Sequence, residues 1–206
     1  MSKAEQSEIW NKVYKTKSGT LPWVGIPFSA EVGEHLSSLD KKELLLVVGC
    51  GSGETVDCLY KQGFQKIVGT DISEEAIKQA KESFPDIDFR ILPTEDLKNN
   101  EEFLNSNVLD WLNFHQINPT GAKNYLSSVA AIAKSVCTSW IYHDGEEKSG
   151  SYVHDGETYF HKPEMVSEFF GSQGFILKGQ SKFTFSTSYK DQPIVRAAIT
   201  QIYVRS

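Results

Sequence analysis

The segment from Leu44 to Ser73 constrains the fold of this 206-residue chain more than any other part of its sequence. It opens with an apolar run, Leu44–Val48, which is too short for a free-standing helix and is typical of a strand buried on both faces. Gly49, Gly51 and Gly53 then turn the chain into a helix with a rough apolar stripe. A strand, a glycine turn and a helix form the first half of a nucleotide-binding unit.

Asp71 follows the second strand of this segment, Ile67–Gly69, and lies eighteen residues after Gly53. An acid at this point can accept hydrogen bonds from both hydroxyls of a ribose, and a turn without Cβ atoms lets a ligand approach the backbone closely. The sequence therefore predicts that a nucleoside binds between the glycine turn and Asp71. The alternative interpretation is a βαβ turn with a purely structural role.

The spacing of the glycines narrows the choice of cofactor. Dinucleotide sites usually carry G-x-G-x-x-G, whereas this turn reads G-C-G-S-G and is followed by Glu54. An acid at the start of a helix would repel a diphosphate, so a nicotinamide oxidoreductase is disfavoured. The pattern suits a phosphate-free ligand with a positive centre. In this segment the chain resembles the class I methyltransferases, whose cofactor is S-adenosylmethionine.

Composition limits the partners and the compartment. A formal net charge of -6, a pI near 5.4 and the lack of a Lys/Arg cluster argue against nucleic-acid binding and favour a small-molecule acceptor. Three scattered cysteines without a C-x-x-C motif are typical of a reducing compartment, and the polar N-terminus predicts neither a signal peptide nor a membrane span. We expect one domain that is cytoplasmic and not membrane-bound, and its oligomeric state is left open.

Strands and helices alternate along the rest of the chain, and this predicts an α/β fold. We expect a Rossmann-like, doubly wound, mostly parallel sheet with an antiparallel C-terminal strand, and the methyltransferase resemblance implies seven strands. Other predicted helices are Ser7–Tyr14, Glu31–Leu39, Glu54–Gln62, Glu74–Phe84, Gly121–Lys134 and Glu164–Phe170, and other predicted strands are Asp88–Leu92, Asn107–Phe114, Val136–Tyr142, Phe175–Phe185 and Ile194–Val204. The polar segment Glu146–Phe160 is expected to form a mobile loop over the strand ends.

Several motifs along the chain resemble those of one methyltransferase group, the thiopurine and thiol methyltransferases with their tellurite-resistance relatives. The motifs are Trp10, PWVGIP at 22–27, VVGCGSG at 47–53, VGTDIS at 68–73 and LDWLNFHQINP at 109–119, followed by a helix with Tyr125. The resemblance covers nearly the whole chain and implies methylation of a small, soft nucleophile such as a thiol, halide or metalloid. A noncatalytic, regulatory protein that binds S-adenosylmethionine or S-adenosylhomocysteine is the alternative.

One position departs from this group in a way that bears on the acceptor. Trp111 stands where some members have an Arg, and this removes a bidentate hydrogen-bond donor for anionic acceptors. We therefore do not expect a carboxylated thiopurine as the substrate.

Most of the residues predicted to bind the cofactor lie at the ends of the first four strands. The glycine turn with Cys50 would admit the methionyl and ribose portions, Asp71 would hold the ribose, and Ile72 would pack on the adenine. Trp23 can lie beside the sulfonium cation. The predicted cofactor-binding residues are Trp23, Gly49, Cys50, Gly51, Gly53, Asp71, Ile72, Thr94, Glu95 and Asp110.

Methyl transfer from a sulfonium depends mainly on collinear placement of donor and acceptor, so a strong base is optional. A thiol or hydroxyl acceptor must nevertheless lose a proton, and Asp110 and His115 are the predicted catalytic residues that could take it. Asp110 could instead accept a hydrogen bond from the methionyl ammonium group. The predicted acceptor pocket consists of Tyr14, Phe28, Trp111, Asn113 and His115.

Residues 1–30 contain four aromatic side chains and a run punctuated by glycine and proline, and they cannot pack alone. They form either an N-terminal arm that covers the sheet or a lid over cofactor and acceptor.

Several residues between 143 and 161 offer nitrogen and oxygen ligands for a metal, namely His143, Asp144, His154, Asp155 and His161. The repeated His-Asp-Gly sequence is also ordinary turn chemistry, so no metal site is predicted.

Overall fold

The computed structural model describes residues 2–16, 21, 23–142, 150–153, 156–189 and 192–206. The helices are α1 (Lys3–Thr16), α2 (Ala30–Ser38), α3 (Glu54–Lys61), α4 (Glu74–Ser83), α5 (Pro119–Ile132) and α6 (Pro163–Ser172). The strands are β1 (Leu44–Val48), β2 (Lys66–Asp71), β3 (Asp88–Ile91), β4 (Ser106–Trp111), β5 (Ala133–Ile141), β6 (Gly150–Val153), β7 (Gly156–Thr158), β8 (Phe175–Tyr189) and β9 (Gln192–Arg205). Within the described ranges, no helix is both long and apolar enough to cross a membrane.

Seven strands form one sheet in the order β3-β2-β1-β4-β5-β9-β8. Strands β1 to β5 are parallel, whereas β9 runs antiparallel to both of its neighbours, β5 and β8. This confirms the predicted Rossmann-like α/β fold with an antiparallel C-terminal strand. The strand order reverses between β1 and β4, and open α/β sheets bind ligands at the carboxyl ends of such neighbouring strands.

Strand β1 is buried on both faces, as its unbroken apolar run predicts. Leu46 and Val48 pack into a core with α5 and α6, whereas Leu45 and Val47 pack into a second core with α2 and α3. Helices therefore cover both sides of the sheet, which fixes β1 at its centre and presents the glycine turn at its carboxyl end.

The C-terminal hairpin is longer than the sequence predicts. Strand β9 pairs with β5 only from Ala198 to Val204, but it pairs with β8 from Gln192 to Arg205. The outer half of the hairpin therefore continues beyond the end of β5. The polar linker predicted at 186–193 is strand in its described residues, and Thr187 and Tyr189 are residue types that favour an extended backbone.

The segment predicted as a loop at 146–160 contains the short antiparallel pair β6–β7. Tyr152, Val153 and Thr158 have high strand propensity, which the neighbouring glycines obscured. Four of the five metal-ligand candidates, His143, Asp144, His154 and Asp155, lie outside the described residues.

The N-terminal helix α1 is joined to the start of α4 by side-chain hydrogen bonds. Asn11 Oδ1 accepts from the hydroxyl of Ser73 at 2.8 Å and from the backbone N–H of Glu75 at 3.1 Å. Ser7 donates to the carbonyl of Ile72 at 3.2 Å, and Gln79 donates to that of Tyr14 at 3.0 Å. Helix α1 thus lies beside the turn that follows Asp71.

Asn11→Ala should lower the free energy of unfolding by about 1 kcal/mol, because it removes an acceptor that serves two donors at a helix N-terminus. Urea denaturation would measure the change. Asn124→Ala, at an exposed position of α5, is the matched control and should have little effect. Equal stability of the two variants would show that α1 is held in place by its apolar contacts alone.

Candidate active site

A cavity lies at the carboxyl ends of β1, β2, β3 and β4. It brings together twelve of the residues that the sequence predicts for the site: Tyr14, Trp23, Gly49, Cys50, Gly51, Asp71, Ile72, Thr94, Glu95, Trp111, Asn113 and His115. Helix α1, the glycine turn, the ends of three further strands and the outer β8–β9 hairpin all contribute to its walls. Gly53, Phe28 and Asp110 are not among the described residues that line it.

The glycine turn has no room for side chains. Gly49 and Gly51 have φ angles of 63° and 56°, and a Cβ at Gly49 would lie 2.2 Å from Cγ of Asn113. At Gly51, a Cβ would lie 2.5 Å from the hydroxyl oxygen of Tyr14. The bare backbone therefore forms part of the cavity wall, as required for close approach of a ligand.

Gly53 has a different role from the one that the sequence suggests. Its φ is 95°, and a Cβ there would lie 2.8 Å from the ring of Phe89 and 3.1 Å from Cβ of Ala80. It allows α3 to begin against β3 and α4, so its contribution is to packing beneath the cavity.

Asp71 ties the glycine turn to β2. Its Oδ2 accepts from the backbone N–H of Gly51 at 2.9 Å, and its Oδ1 accepts from that of Ser73 at 2.9 Å. Burial raises the pKa of this carboxyl, and the backbone hydrogen bonds oppose that rise. Because each carboxylate oxygen can accept more than one hydrogen bond, Asp71 can still accept from ribose hydroxyls in the cavity.

The cavity is acidic near the glycine turn, where Glu54, Asp71 and Glu95 line it. Ser52 donates to both carboxylate oxygens of Glu54, at 3.0 and 2.9 Å, which orients this acid at the N-terminus of α3. These charges attract a cation and repel a phosphate. The bare backbone at the turn and the three acids together fit S-adenosylmethionine, which has a sulfonium and an ammonium group and no phosphate.

The structure does not place the Asp110 carboxylate in the cavity. Its Oδ1 accepts from the backbone N–H groups of Asn113 at 3.0 Å and Phe114 at 3.2 Å, and its Oδ2 accepts from the hydroxyl of Tyr125. Asn113 Nδ2 donates to Tyr125 Oη at 3.1 Å. Tyr125 and Asn113 line the cavity, so Asp110 orders them from behind and does not reach a ligand directly.

Burial raises the pKa of Asp110 to about 7, although all three hydrogen bonds favour its charged form. The cost of removing this carboxylate from water therefore outweighs the gain from its donors. Asp110 was predicted as a base or as a partner of the methionyl ammonium, and its covered position supports neither role.

His115 does line the cavity, but its surroundings make it a poor base. Its Nδ1 accepts from the backbone N–H of Ile141 at 3.5 Å, so the neutral ring carries its proton on Nε2. Burial lowers the pKa of His115 to about 3, with smaller electrostatic contributions from His161 and Arg196. His115 is therefore neutral near pH 7 and can offer a hydrogen bond more readily than it can remove a proton.

Aromatic side chains wall the cavity at two places. Trp111 stacks on Phe183 with ring centroids 5.5 Å apart and meets the edge of Phe28 at 5.1 Å, so Phe28 supports Trp111 from behind. Tyr14 packs against Trp23 at 6.3 Å. The hydroxyl of Tyr14 points to Gly51, so it lies at the cofactor end and not in the predicted acceptor pocket.

Tyr125 on α5 and Arg196 on β9 are among the cavity residues that were missed from the predicted site. Tyr125 belongs to the inward face of its helix and reads as an ordinary core residue. Arg196 had a visible signal, because it is the only charged residue in the otherwise uncharged run Ile194–Val204.

In the described part of the chain, no three His, Cys, Asp or Glu side chains are grouped closely enough to hold a metal ion. His161, the one described candidate, has Nε2 2.8 Å from the carbonyl oxygen of Ile117 and stacks on the ring of Phe114 at 4.1 Å. Its ring is thus part of the packing beneath the cavity.

Comparison with known proteins adds an independent line of evidence. Residues 45–135 match the family model described as a methyltransferase domain. A 78-residue segment is 41% identical to the eEF1A lysine and N-terminal methyltransferase of Mus musculus, and the match covers 37% of this chain and 11% of that protein. The chain therefore spans a small part of the length of this relative.

Solved structures share the fold over almost the whole chain. The S-adenosylmethionine-dependent methyltransferase from Anabaena variabilis has a TM-score of 0.80 at 16% identity, covering 99% of this chain and 95% of that one. Magnesium protoporphyrin IX methyltransferase from Synechocystis, with bound S-adenosylmethionine, has a TM-score of 0.65 at 18% identity, covering 99% and 97%. The thiopurine and thiol subgroup is not singled out by these matches. Residues 45–135 therefore match a methyltransferase domain, and the whole chain shares its fold with methyltransferases that use S-adenosylmethionine.

Proposed function

We propose that this domain methylates a small molecule with a soft nucleophile, such as a thiol, halide or metalloid. The observation that carries the proposal is the shape of the cavity beyond the glycine turn. It continues past Trp111 to Phe185 of the outer hairpin, and Trp23 and Ile26 bound it on the side of the N-terminal arm. A site walled by both ends of the chain suits a small acceptor better than a folded protein surface.

The residues of the cavity would position the cofactor and the acceptor and would exclude water from them. S-adenosylmethionine supplies an activated methyl group when bound. The backbone at Gly49 and Gly51 and the carboxylate of Asp71 would hold its methionyl and ribose portions, and Ile72, Thr94 and Glu95 would surround its adenine. Trp111 and Asn113 would hold the acceptor in line with the methyl group in a cavity that aromatic rings keep dry.

A protein acceptor is the second candidate, because the matched relative from Mus musculus is named as a lysine and N-terminal methyltransferase of eEF1A. An amine acceptor must lose a proton before it can attack. Neither His115, with its lowered pKa, nor Asp110, behind Tyr125, is placed to remove that proton. The site therefore supports the small-molecule acceptor more strongly.

Radiolabelled S-adenosylmethionine would test the proposal with a panel of thiols, iodide, selenite and tellurite, and with eEF1A as the protein acceptor. We expect label in at least one small-molecule product and none in eEF1A. Labelled eEF1A alone would establish the second candidate. Binding of S-adenosylhomocysteine without transfer to any acceptor would instead indicate a noncatalytic binding protein, and thermal stabilisation by NAD alone would contradict the cofactor assignment.

His115→Gln should leave S-adenosylhomocysteine affinity unchanged and slow transfer by less than about tenfold, since a hydrogen-bond donor is kept and no base is lost. The pH dependence of turnover should not change between pH 6 and 9. His35→Gln, on α2 and away from the cavity, controls for loss of an imidazole. Disappearance of a titrating limb near pH 7 in His115→Gln would restore His115 as the base.

A further inference from the structure

Charged residues around the cavity are separated by sign. Four charged side chains line it within the described ranges, and the three acids, Glu54, Asp71 and Glu95, lie at or after the carboxyl ends of β1, β2 and β3. The fourth is Arg196, which lies on the outer half of β9 opposite Phe185 of β8. Acid therefore surrounds the cofactor end, and the one cation among these residues is at the hairpin end.

Arg196 lies at the acceptor end of the cavity because of the length of the hairpin. Its partner in the β8–β9 register, Phe185, also lines the cavity, as do Thr187 and Ile141 nearby. The positive charge of Arg196 contributes to the lowered pKa of His115, so the two side chains are close enough to interact. A charge in a partly buried, largely apolar wall acts more strongly on a ligand than a charge at the open surface.

We propose that Arg196 makes the hairpin end of the cavity an anion site, so that the methyl acceptor binds as an anion. This inference rests on the proposed function. Arg196 would be the specificity-determining residue, with its guanidinium beside either a thiolate nucleophile or a carboxylate attached to the acceptor. Arg196 would then supply the donor for anionic acceptors that is missing at position 111.

An anionic nucleophile also removes the need for Asp110 or His115 to act as a base. The nucleophile forms its bond to the methyl carbon with its own electron pair, while the carbon–sulfur bond of the sulfonium breaks and its electrons remain on sulfur. A cation and an anion become two neutral groups, and no proton has to be removed in this step. A lysine ammonium, in contrast, would be repelled by Arg196 and would still need deprotonation.

Binding of chromophoric probes to the complex with S-adenosylhomocysteine tests the anion site. The probes are 4-nitrothiophenolate, 5-thio-2-nitrobenzoate and the neutral isostere 4-nitrotoluene. We expect the wild type to bind an anion at least about tenfold more tightly than the neutral isostere, and Arg196→Met to lose that preference. Arg196→Lys should keep most of it. Lys178→Met removes an exposed cation from the same hairpin and should behave as the wild type.

The two anionic probes show whether a thiolate or a carboxylate lies beside Arg196. Tight binding of both places the thiolate beside Arg196, whereas tight binding of 5-thio-2-nitrobenzoate alone places a carboxylate there. Equal affinity for anion and neutral isostere in the wild type would overturn the proposal. So would an unchanged preference in Arg196→Met.

Transfer to the same probes, followed with labelled S-adenosylmethionine, separates this inference from the proposed function. Binding that depends on Arg196 without transfer would support the anion site and contradict the methyltransferase assignment. S-adenosylhomocysteine affinity reports whether each variant is folded. If Arg196→Met does not fold, the probe preferences of the wild type and Arg196→Lys decide the outcome.

Discussion

Asp71→Ala should weaken the binding of S-adenosylhomocysteine at least about a hundredfold, because two charge-assisted hydrogen bonds to the ribose are worth roughly 3 to 6 kcal/mol together. The same carboxylate also fixes the N–H of Gly51, at 2.9 Å, so its loss should loosen the glycine turn as well. Isothermal titration calorimetry would measure the affinity, and urea denaturation without ligand would measure the structural part of the effect.

Two further variants separate the contributions of Asp71. Asp71→Asn keeps one acceptor oxygen and should show an intermediate loss of affinity. Asp86→Asn removes an exposed carboxylate before β3 and should bind S-adenosylhomocysteine as the wild type does. Retention of wild-type affinity in Asp71→Ala would mean that the cofactor does not contact Asp71.

Asp110→Asn should remove a pH dependence from the stability of the fold. Since burial raises the pKa of Asp110 to about 7 from 3.8, the folded state binds this proton more tightly than the unfolded state does. The stabilisation that comes from this bound proton is complete below about pH 4 and is lost as the pH rises through 7. The free energy of unfolding of the wild type should therefore fall between pH 5 and 8, relative to the variant, by about 2 to 3 kcal/mol.

Urea denaturation at several pH values would measure this difference. The Asn side chain can still accept from the backbone N–H groups of Asn113 and Phe114. Any loss of stability that is the same at every pH is distinguished from a change in the slope of stability against pH. Asp86→Asn again serves as the control for removal of one carboxylate and should keep the wild-type slope. Parallel pH profiles for wild type and Asp110→Asn would show that Asp110 is ionised throughout this range.

The cofactor half of the site could be predicted from the sequence because it depends on local features. The apolar run of β1, the glycine turn and Asp71 lie within 28 residues of one another, and the parallel pairing of β1 with β2 brings them together. A local feature also ends this segment, because the hydroxyl of Ser73 accepts from the N–H of Ala76 and caps α4.

The chemistry of Asp110 and His115 could not be predicted in the same way, because it depends on elements distant in the sequence. Asp110 is covered by Tyr125 of α5, and His115 is held by Ile141 of β5 and influenced by Arg196 of β9. A polar residue that follows a strand is predicted to contact a ligand, because the sequence alone does not show which helix will cover it. The position of Arg196 likewise follows from the length of the hairpin, which the turn residues did not reveal.

The origin of the cavity walls has an evolutionary consequence. The glycine turn, Asp71, Ile72, Thr94 and Glu95 come from the middle of the chain, inside the matched range 45–135, whereas Ile26, Phe185 and Arg196 come from segments on either side of that range. Substitutions in those flanking segments can change which molecule is methylated while the glycine turn and Asp71 stay intact. Related chains can therefore differ in acceptor preference while the residues that face the methyl donor stay the same.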